Sequence, residues 1–478
     1  MLLWLIAAIS AATYYLAYAH RFPLPEHYDQ LTDLGALGGN DATAALRYLG
    51  PIVLLVVLYG VAWQLARRKR GWRWLVPVYA GALAFGAVEL FEYPVTAIDV
   101  LVYLVDGRLW TRHGANPLVV APNVFDDPFN RLAGQYANTP APYGPVWVVL
   151  SGLPSLLFGD QLYPSLLAMK AIALVAYLGC AATITWILLR TRPEAAVAGT
   201  LYFAWNPLVV LDGIGNAHND AAMMLPALLA IALTLRGREL PALALLSISA
   251  GVKYASALLI PVVFLHHVRH WPRWSEKLRY TMVAGVFSLG VFLVCYAAFW
   301  AGLSTFAGLE KRNEIVVGSV AALVNYGRIV WFPDVPQSWV PYPFTALFLL
   351  LYGWLLWGVW RGRRDWLPAA FEVLYVAMFQ PVWFNSWFAI WPLALAALVA
   401  DERPRWRAGV LSATVLLGAF FFTFGPVWNT GGWDIPKVHL VAVPVIFGPA
   451  LVLSLWPLGT ARARSRPAEK EVADAATP

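Results

Sequence analysis

The chain has 478 residues, 60% of them hydrophobic, 14% aromatic and only 13% charged, against roughly 25% charged in soluble domains. That balance, with a mean hydropathy of +0.61, excludes a soluble multidomain protein, a disordered chain, a collagen and a disulfide scaffold. The formal charge of +7 does not call for nucleic acid, because Lys and Arg fall in short clusters between apolar spans, the positive-inside pattern of a polytopic membrane protein.

In chain order, the apolar run 1–19 carries no charge. Ala17-Tyr18-Ala19 mimics a signal-peptidase site, but no basic n-region precedes it, so a retained helix is expected. Spans follow near 47–66, 74–95, 163–189, 195–213, 220–235, 281–303, 343–360, 366–382, 385–400, 408–427 and 438–457. The fold class is therefore an all-α polytopic membrane protein with about twelve full transmembrane helices. With the RRKRGWR segment at 67–73 placed in the cytoplasm, alternation puts 23 of the 34 Lys and Arg on that side, which fixes the expected orientation. The run 146–158 is too short to span and reads as an interfacial or re-entrant helix on the outer side. The stretch 240–266 lies between two basic clusters and must enter and leave by one face, as a hairpin of short helices with Lys253 and Tyr254 near its apex. Such a hairpin is tolerated at membrane depth only inside protein or along a cavity. Residues 1–460 are expected to form one integral membrane domain with outer loops at 96–145 and 304–342. The tail 461–478 is expected to be cytoplasmic and disordered. Cys180 and Cys295 both fall in apolar spans and read as small buried hydrophobes.

The unusual residues collect in the non-cytoplasmic loops. AIDVLVYLVDGRLWTRHGANPLVVAP opens the longest, and TPAPYGPVW closes it. If the segment is helical, Asp99, Tyr103 and Asp106 share one face. A carboxylate at the bilayer surface suits a general base. Equally, Asp106 can pair with Arg108 or Arg112, and Asp99 can cap its helix. In WNPLVVLDGIGNAHNDAAMML, Asp220 is placed to cap the next helix. His218 beside it, with Asp212 at the membrane edge, is less easily assigned to capping. Lys253 in SAGVKYASALLIP is an ammonium deep in an apolar stretch, for which a phosphate is a fitting counter-ion. FQPVWFNSWFAIW (379–391) reads either as an interfacial aromatic belt or as a stacking surface for a sugar ring or an isoprenoid chain. The loop 304–342 adds Glu310, Lys311, Arg312, Glu314, Asn325 and Arg328, a run that solvation alone can explain. Asp126-Asp127 could ligate a metal, but a turn before Pro128 suffices. No His/Cys metal spacing, Walker loop or dinucleotide fingerprint is present.

Together, DVLVYLVDGRLWTRHGANPL, the Y-G-P helix, WNPLVVLDGIGNAHND, GVKYASALLIP and QPVWFNSWFAIWP resemble, in this order from about Gly71 to Ala400, the GT-C glycosyltransferases. The nearest resemblance is to bacterial and archaeal polyprenyl-phosphate-mannose-dependent mannosyltransferases. The chain departs from their simplest members in two extra N-terminal spans and in Leu118, where many carry an aromatic residue after N-P.

The resemblance implies a GT-C-like fold and inverting transfer of a sugar, mannose in the nearest relatives. The donor would be a polyprenyl-phosphate sugar and the acceptor a glycan or glycolipid, on the outer face of a prokaryotic plasma membrane. Asp99 would be the base, with Asp106 and Asp220 as understudies for that role or for sugar hydroxyls. Lys253, with His218 or Arg328, would face the donor phosphate. Tyr103, Arg108, Asn116, Tyr143, Tyr254, Trp383 and Trp387 would contact substrate. No cofactor is required, and a divalent metal is compatible. The competing readings are a lipid-linked polysaccharide polymerase, typically reliant on Arg, and a lipid or solute transporter. A transporter would show paired repeats and ionisable groups at midplane.

Overall fold

The computed structural model describes residues 1–312, 315–425, 429 and 432–455. Glu314 and the tail expected to be disordered lie outside them. The longer helices are α1 (Leu2–Tyr14), α2 (Ala42–Ala66), α3 (Leu75–Glu89), α4 (Asp99–His113), α5 (Pro145–Phe158) and α6 (Leu162–Thr191). Next come α7 (Ala196–Ala204), α8 (Asp220–Thr234), α9 (Glu239–Val252), α10 (Leu259–Val268) and α11 (Trp274–Tyr296). The last are α12 (Val320–Trp331), α13 (Pro341–Trp360), α14 (Trp366–Val376), α15 (Ile390–Ala396), α16 (Glu402–Val415) and α17 (Ile435–Leu455). Among the described residues, β structure is limited to isolated bridges such as Val317 with Trp383.

Seven described helices are long and apolar enough to cross a bilayer, and an eighth span is available if the pair 193–204 and 209–215, bent by 55°, counts as one. The remaining expected spans, at 74–95, 220–235, 366–382 and 385–400, exist as shorter apolar helices. Apolar run length overestimates helix length here. At 366–400, for example, Pro381 and an extended Asn385 (φ −122°, ψ 146°) interrupt an apolar run, and proline removes the N–H that a helix needs. The short-helix hairpin is present: α9 and α10 are joined by the 3₁₀ turn Tyr254–Leu258, with Lys253 in extended geometry at the break (φ −150°, ψ 126°).

The usual inside-out rule weakens at the periphery. α11 is largely unburied, with Leu278, Met282, Val286, Leu289 and Val294 facing outward, as a lipid-facing helix requires. The packed centre is made by α4, α5, α6, α8 and α9, which contact one another. Small residues set these approaches. A Cβ added to Gly107 of α4 would lie 2.1 Å from the Ser151 carbonyl oxygen of α5. One added to Gly144 would lie 2.1 Å from the Gly251 carbonyl oxygen at the end of α9. The Gly144 contact, with Gly144 N–H donating to Val252 C=O at 3.2 Å, seats Tyr143 beside the Lys253 break. Gly144→Ala is therefore expected to cost about 1–3 kcal/mol through overpacking against rigid backbone, seen as a lowered Tm in detergent together with reduced activity.

Candidate active site

A cavity of about 1040 Å³ opens between the loop before α5, the Lys253 break and the 380–388 segment. Asp99, Tyr143, Lys253, Tyr254, Trp383 and Trp387, all singled out from sequence, line it together. Asp99 sits in the first turn of α4, where the helix dipole favours a carboxylate. Its Oδ1 accepts a hydrogen bond from the Tyr143 hydroxyl at 3.0 Å. The Tyr254 hydroxyl donates to the Tyr143 carbonyl at 3.2 Å, so the two sides of the cavity are tied through Tyr143.

Lys253 lines the cavity with a side chain 12% exposed, and its Nζ donates to Asp220 Oδ1 at 2.8 Å. Asp220 is fully buried behind it and also accepts from the Trp391 indole N–H. The ammonium lies 4.9 Å from the Phe388 ring centroid, an added cation–π contact. Asp220 thus stands behind Lys253 rather than on the cavity surface. His218 is likewise buried, stacked on Trp387 with ring centroids 3.6 Å apart, and neither of its ring nitrogens finds a partner among the described residues. The preceding Ala217 is held at φ +54°, a left-handed conformation that costs an ordinary residue about 1 kcal/mol or more. Backbone outliers of this kind concentrate at functional sites.

The other candidates fall outside the cavity lining. Tyr103 is buried edge-on against Tyr143 and Trp147, at 5.1 and 5.0 Å, and so props Tyr143. Asp106 is buried one turn further along α4. Asn116 closes its own turn, its amide donating to Phe299 C=O at 2.7 Å and its carbonyl accepting from Leu118 N–H at 3.0 Å. Arg328 donates to Asn325 Oδ1 at 2.8 Å and to Val335 C=O at 2.7 Å. It lines a separate apolar groove of about 590 Å³ with Trp331 and Trp339.

Arg108 pairs not with Asp106 but with Asp127, through two Nε contacts at 3.1 Å and Nη2 at 2.9 Å, both side chains being almost fully buried. Burial alone pushes the Asp127 carboxyl up. Hydrogen bonds from Arg108, the Phe129 N–H and His113 outweigh that and hold it below the usual carboxylate range. Because the folded value is depressed, this stabilisation is present above the ordinary Asp range and is lost as pH falls through the folded value. Asp127→Ala is expected to cost about 1.5–3 kcal/mol, the scale of a charged hydrogen bond, because Arg108 keeps Asp160 Oδ1 at 3.0 Å and the Gly159 carbonyl at 2.9 Å as partners. Its thermal stability should also lose part of the acid sensitivity of the wild type, measured as Tm against pH.

Several residues escaped the sequence reading. Glu310, Gln337, Tyr342, Gln380, Asn385 and Phe388 also line the cavity. In the sequence Glu310 is one member of a charge run, and the polar positions of the aromatic segment, Gln380 and Asn385, are the available signal for the rest. A second set is wholly buried. Lys170 of α6 donates to the Glu92 carbonyl at 2.6 Å and to the Gly215 carbonyl, and the Glu89 and Glu92 carboxyl groups crowd Gly215. Charged residues inside apolar runs were the signal there, and their contacts tie the 92–98 segment to the turn carrying Asp212. Among the described residues no three His, Cys, Asp or Glu side chains cluster as metal ligands.

A family model described as alpha-(1->6)-mannopyranosyltransferase, N-terminal domain, matches residues 5–269, the part holding Asp99, Tyr143, Asp220 and Lys253. The chain is 26% identical over 373 residues to alpha-(1->6)-mannopyranosyltransferase A of Mycobacterium tuberculosis, covering 73% of this chain and 68% of that one. It is 25% identical over 361 residues to the protein of the same name from Corynebacterium glutamicum, covering 70% and 73%. It is 23% identical over 461 residues to a probable alpha-(1->6)-mannopyranosyltransferase of Mycolicibacterium smegmatis, covering 81% and 78%.

Proposed function

The chain belongs to the alpha-(1->6)-mannopyranosyltransferase family, and from that premise we propose that it is an inverting mannosyltransferase using a polyprenyl-phosphate mannose donor. The acceptor is a glycan or glycolipid, and the reaction takes place on the extracytoplasmic face of a prokaryotic plasma membrane. The observation that carries this reading is the shared cavity of Asp99 and Lys253, a carboxylate and an ammonium-bearing side chain that line one space together with Trp383 and Trp387.

The acceptor hydroxyl gives its proton to the Asp99 carboxylate as its oxygen bonds to the anomeric carbon. The bond from that carbon to the phosphate oxygen breaks, and the anomeric configuration inverts. Negative charge develops on the departing polyprenyl phosphate, where Lys253 stabilises it. Asp220 holds the Lys253 ammonium in place, and His218 supports the Trp387 face on which a sugar ring stacks. The segment 337–343 contributes both to this cavity and to the groove of Arg328. An isoprenoid chain lying in that apolar groove would leave its phosphate near both cationic side chains. Lys253 supplies the cation that the leaving group needs, so EDTA is expected to leave transfer intact. Loss restored by Mg²⁺ would add a divalent ion to the mechanism.

The test is sugar transfer by the purified protein in detergent, with polyprenyl-phosphate mannose and an oligomannoside acceptor. Inverted glycosidic product is expected. Substrate transport without product, or transfer only from a diphosphate-linked glycan, would overturn the reading.

A further inference from the structure

We propose that a second, smaller chamber beside the catalytic cavity is a subsite for an acceptor sugar unit remote from the one being mannosylated. This rests on the glycosyl-transfer reading above. The chamber has a volume of about 150 Å³, and Tyr48, Thr96, Asp212, Asn385, Ser386 and Trp387 contribute to its walls. Three residues, Trp383, Asn385 and Trp387, line both it and the catalytic cavity. The two spaces therefore adjoin, and a molecule longer than one sugar ring can reach from one into the other.

The chemistry of the walls selects the occupant. Asp212 is 4% exposed. It accepts from the Asn216 amide at 2.9 Å and from the Ser386 hydroxyl, and Asn216 in turn donates to Thr96. A carboxylate accepts about four hydrogen bonds, so Asp212 retains capacity for donors brought by a ligand. An acyl or isoprenoid chain would leave that carboxylate desolvated and under-bonded, and a phosphate would meet it charge against charge. A neutral polyol satisfies it, giving hydroxyl donors to Asp212 and its apolar ring face to an indole. The occupant is thus a hexose unit of the acceptor, continuous with the hydroxyl that reaches Asp99.

The experiment compares a mannose monosaccharide acceptor with an α-(1→6)-linked mannotriose, in wild type, Ser386→Ala and Ala419→Phe. Ala419 also lines the chamber, and a phenylalanine there is expected to fill it. Wild type is expected to show a lower KM for the trisaccharide. Ala419→Phe should reduce that preference about tenfold, and Ser386→Ala, which removes one hydrogen bond, about threefold. If the filled variant fails to fold, Ser386→Ala still reads the effect. Equal use of both acceptors by wild type, or variants that slow both acceptors alike, would overturn the subsite. Absence of any product with either acceptor in wild type would instead overturn the transferase reading on which it rests.

Discussion

Asp99→Asn is expected to lower kcat for mannosyl transfer by about 10²–10⁴-fold, with KM for donor and acceptor within a fewfold of wild type. Asparagine is close in shape, and its carbonyl oxygen can still accept the Tyr143 hydroxyl that bonds Asp99 Oδ1 at 3.0 Å, so fold and cavity survive. What disappears is the site that takes the proton from the attacking hydroxyl. Initial rates with purified protein and a matched thermal melt check the prediction, the melt showing that structure is retained. Tyr143→Phe removes one hydrogen bond and no proton acceptor, and its loss should be smaller, about tenfold. If Asp99→Asn turned over within a fewfold of wild type, another group would be the base. Glu310 would become the leading candidate, because among the described residues it is the other carboxylate on the cavity lining. Asp106 and Asp220 are buried away from it.

Lys253→Gln is expected to reduce kcat/KM by about 10²–10³-fold, the scale of removing one preorganised charge stabiliser. It should also destabilise the fold by about 3–5 kcal/mol, because the fully buried Asp220 would lose its partner at 2.8 Å. The two effects separate in a double variant. Asp220→Asn in the Lys253→Gln background removes the stranded charge, so Tm should return toward wild type while activity stays low. Recovery of both would make Lys253 merely structural. Asp220→Asn alone retains the ammonium but frees it to leave its place. The expected loss is about tenfold in kcat with folding retained, and the coupling between the two sites should be about 0.5–3 kcal/mol.

Much of the site was legible because charge is scarce in this chain. Lys253 stood out as an ammonium within an apolar stretch, Asp99 as a carboxylate where a span ends, and Trp383 and Trp387 as part of a dense aromatic run. All four line one cavity. Arg108 read equally well as a substrate ligand, but its partner Asp127 is nineteen residues away, beyond the reach of helical spacing. Lys170, Glu89 and Glu92 were equally unusual in composition, yet their significance lies in meeting around Gly215. No local pattern specifies that meeting.

By itself the sequence determined the class: apolar runs longer than a bilayer core require backbone groups satisfied within helices, and the basic clusters divide the chain between two faces. The short hairpin at 240–266 was equally determined, since both of its ends meet basic clusters. Only the tertiary structure decided which polar residues act together. Asp99 and Lys253 are more than a hundred and fifty positions apart and share a cavity because Gly144 and Gly251 let two backbones touch. Asp220 and His218 adjoin the motif yet sit behind the cavity wall, covered by Trp391 and Trp387. Periodicity records which face of a helix a residue occupies, but contact between distant helices depends on how closely their small residues let them pack.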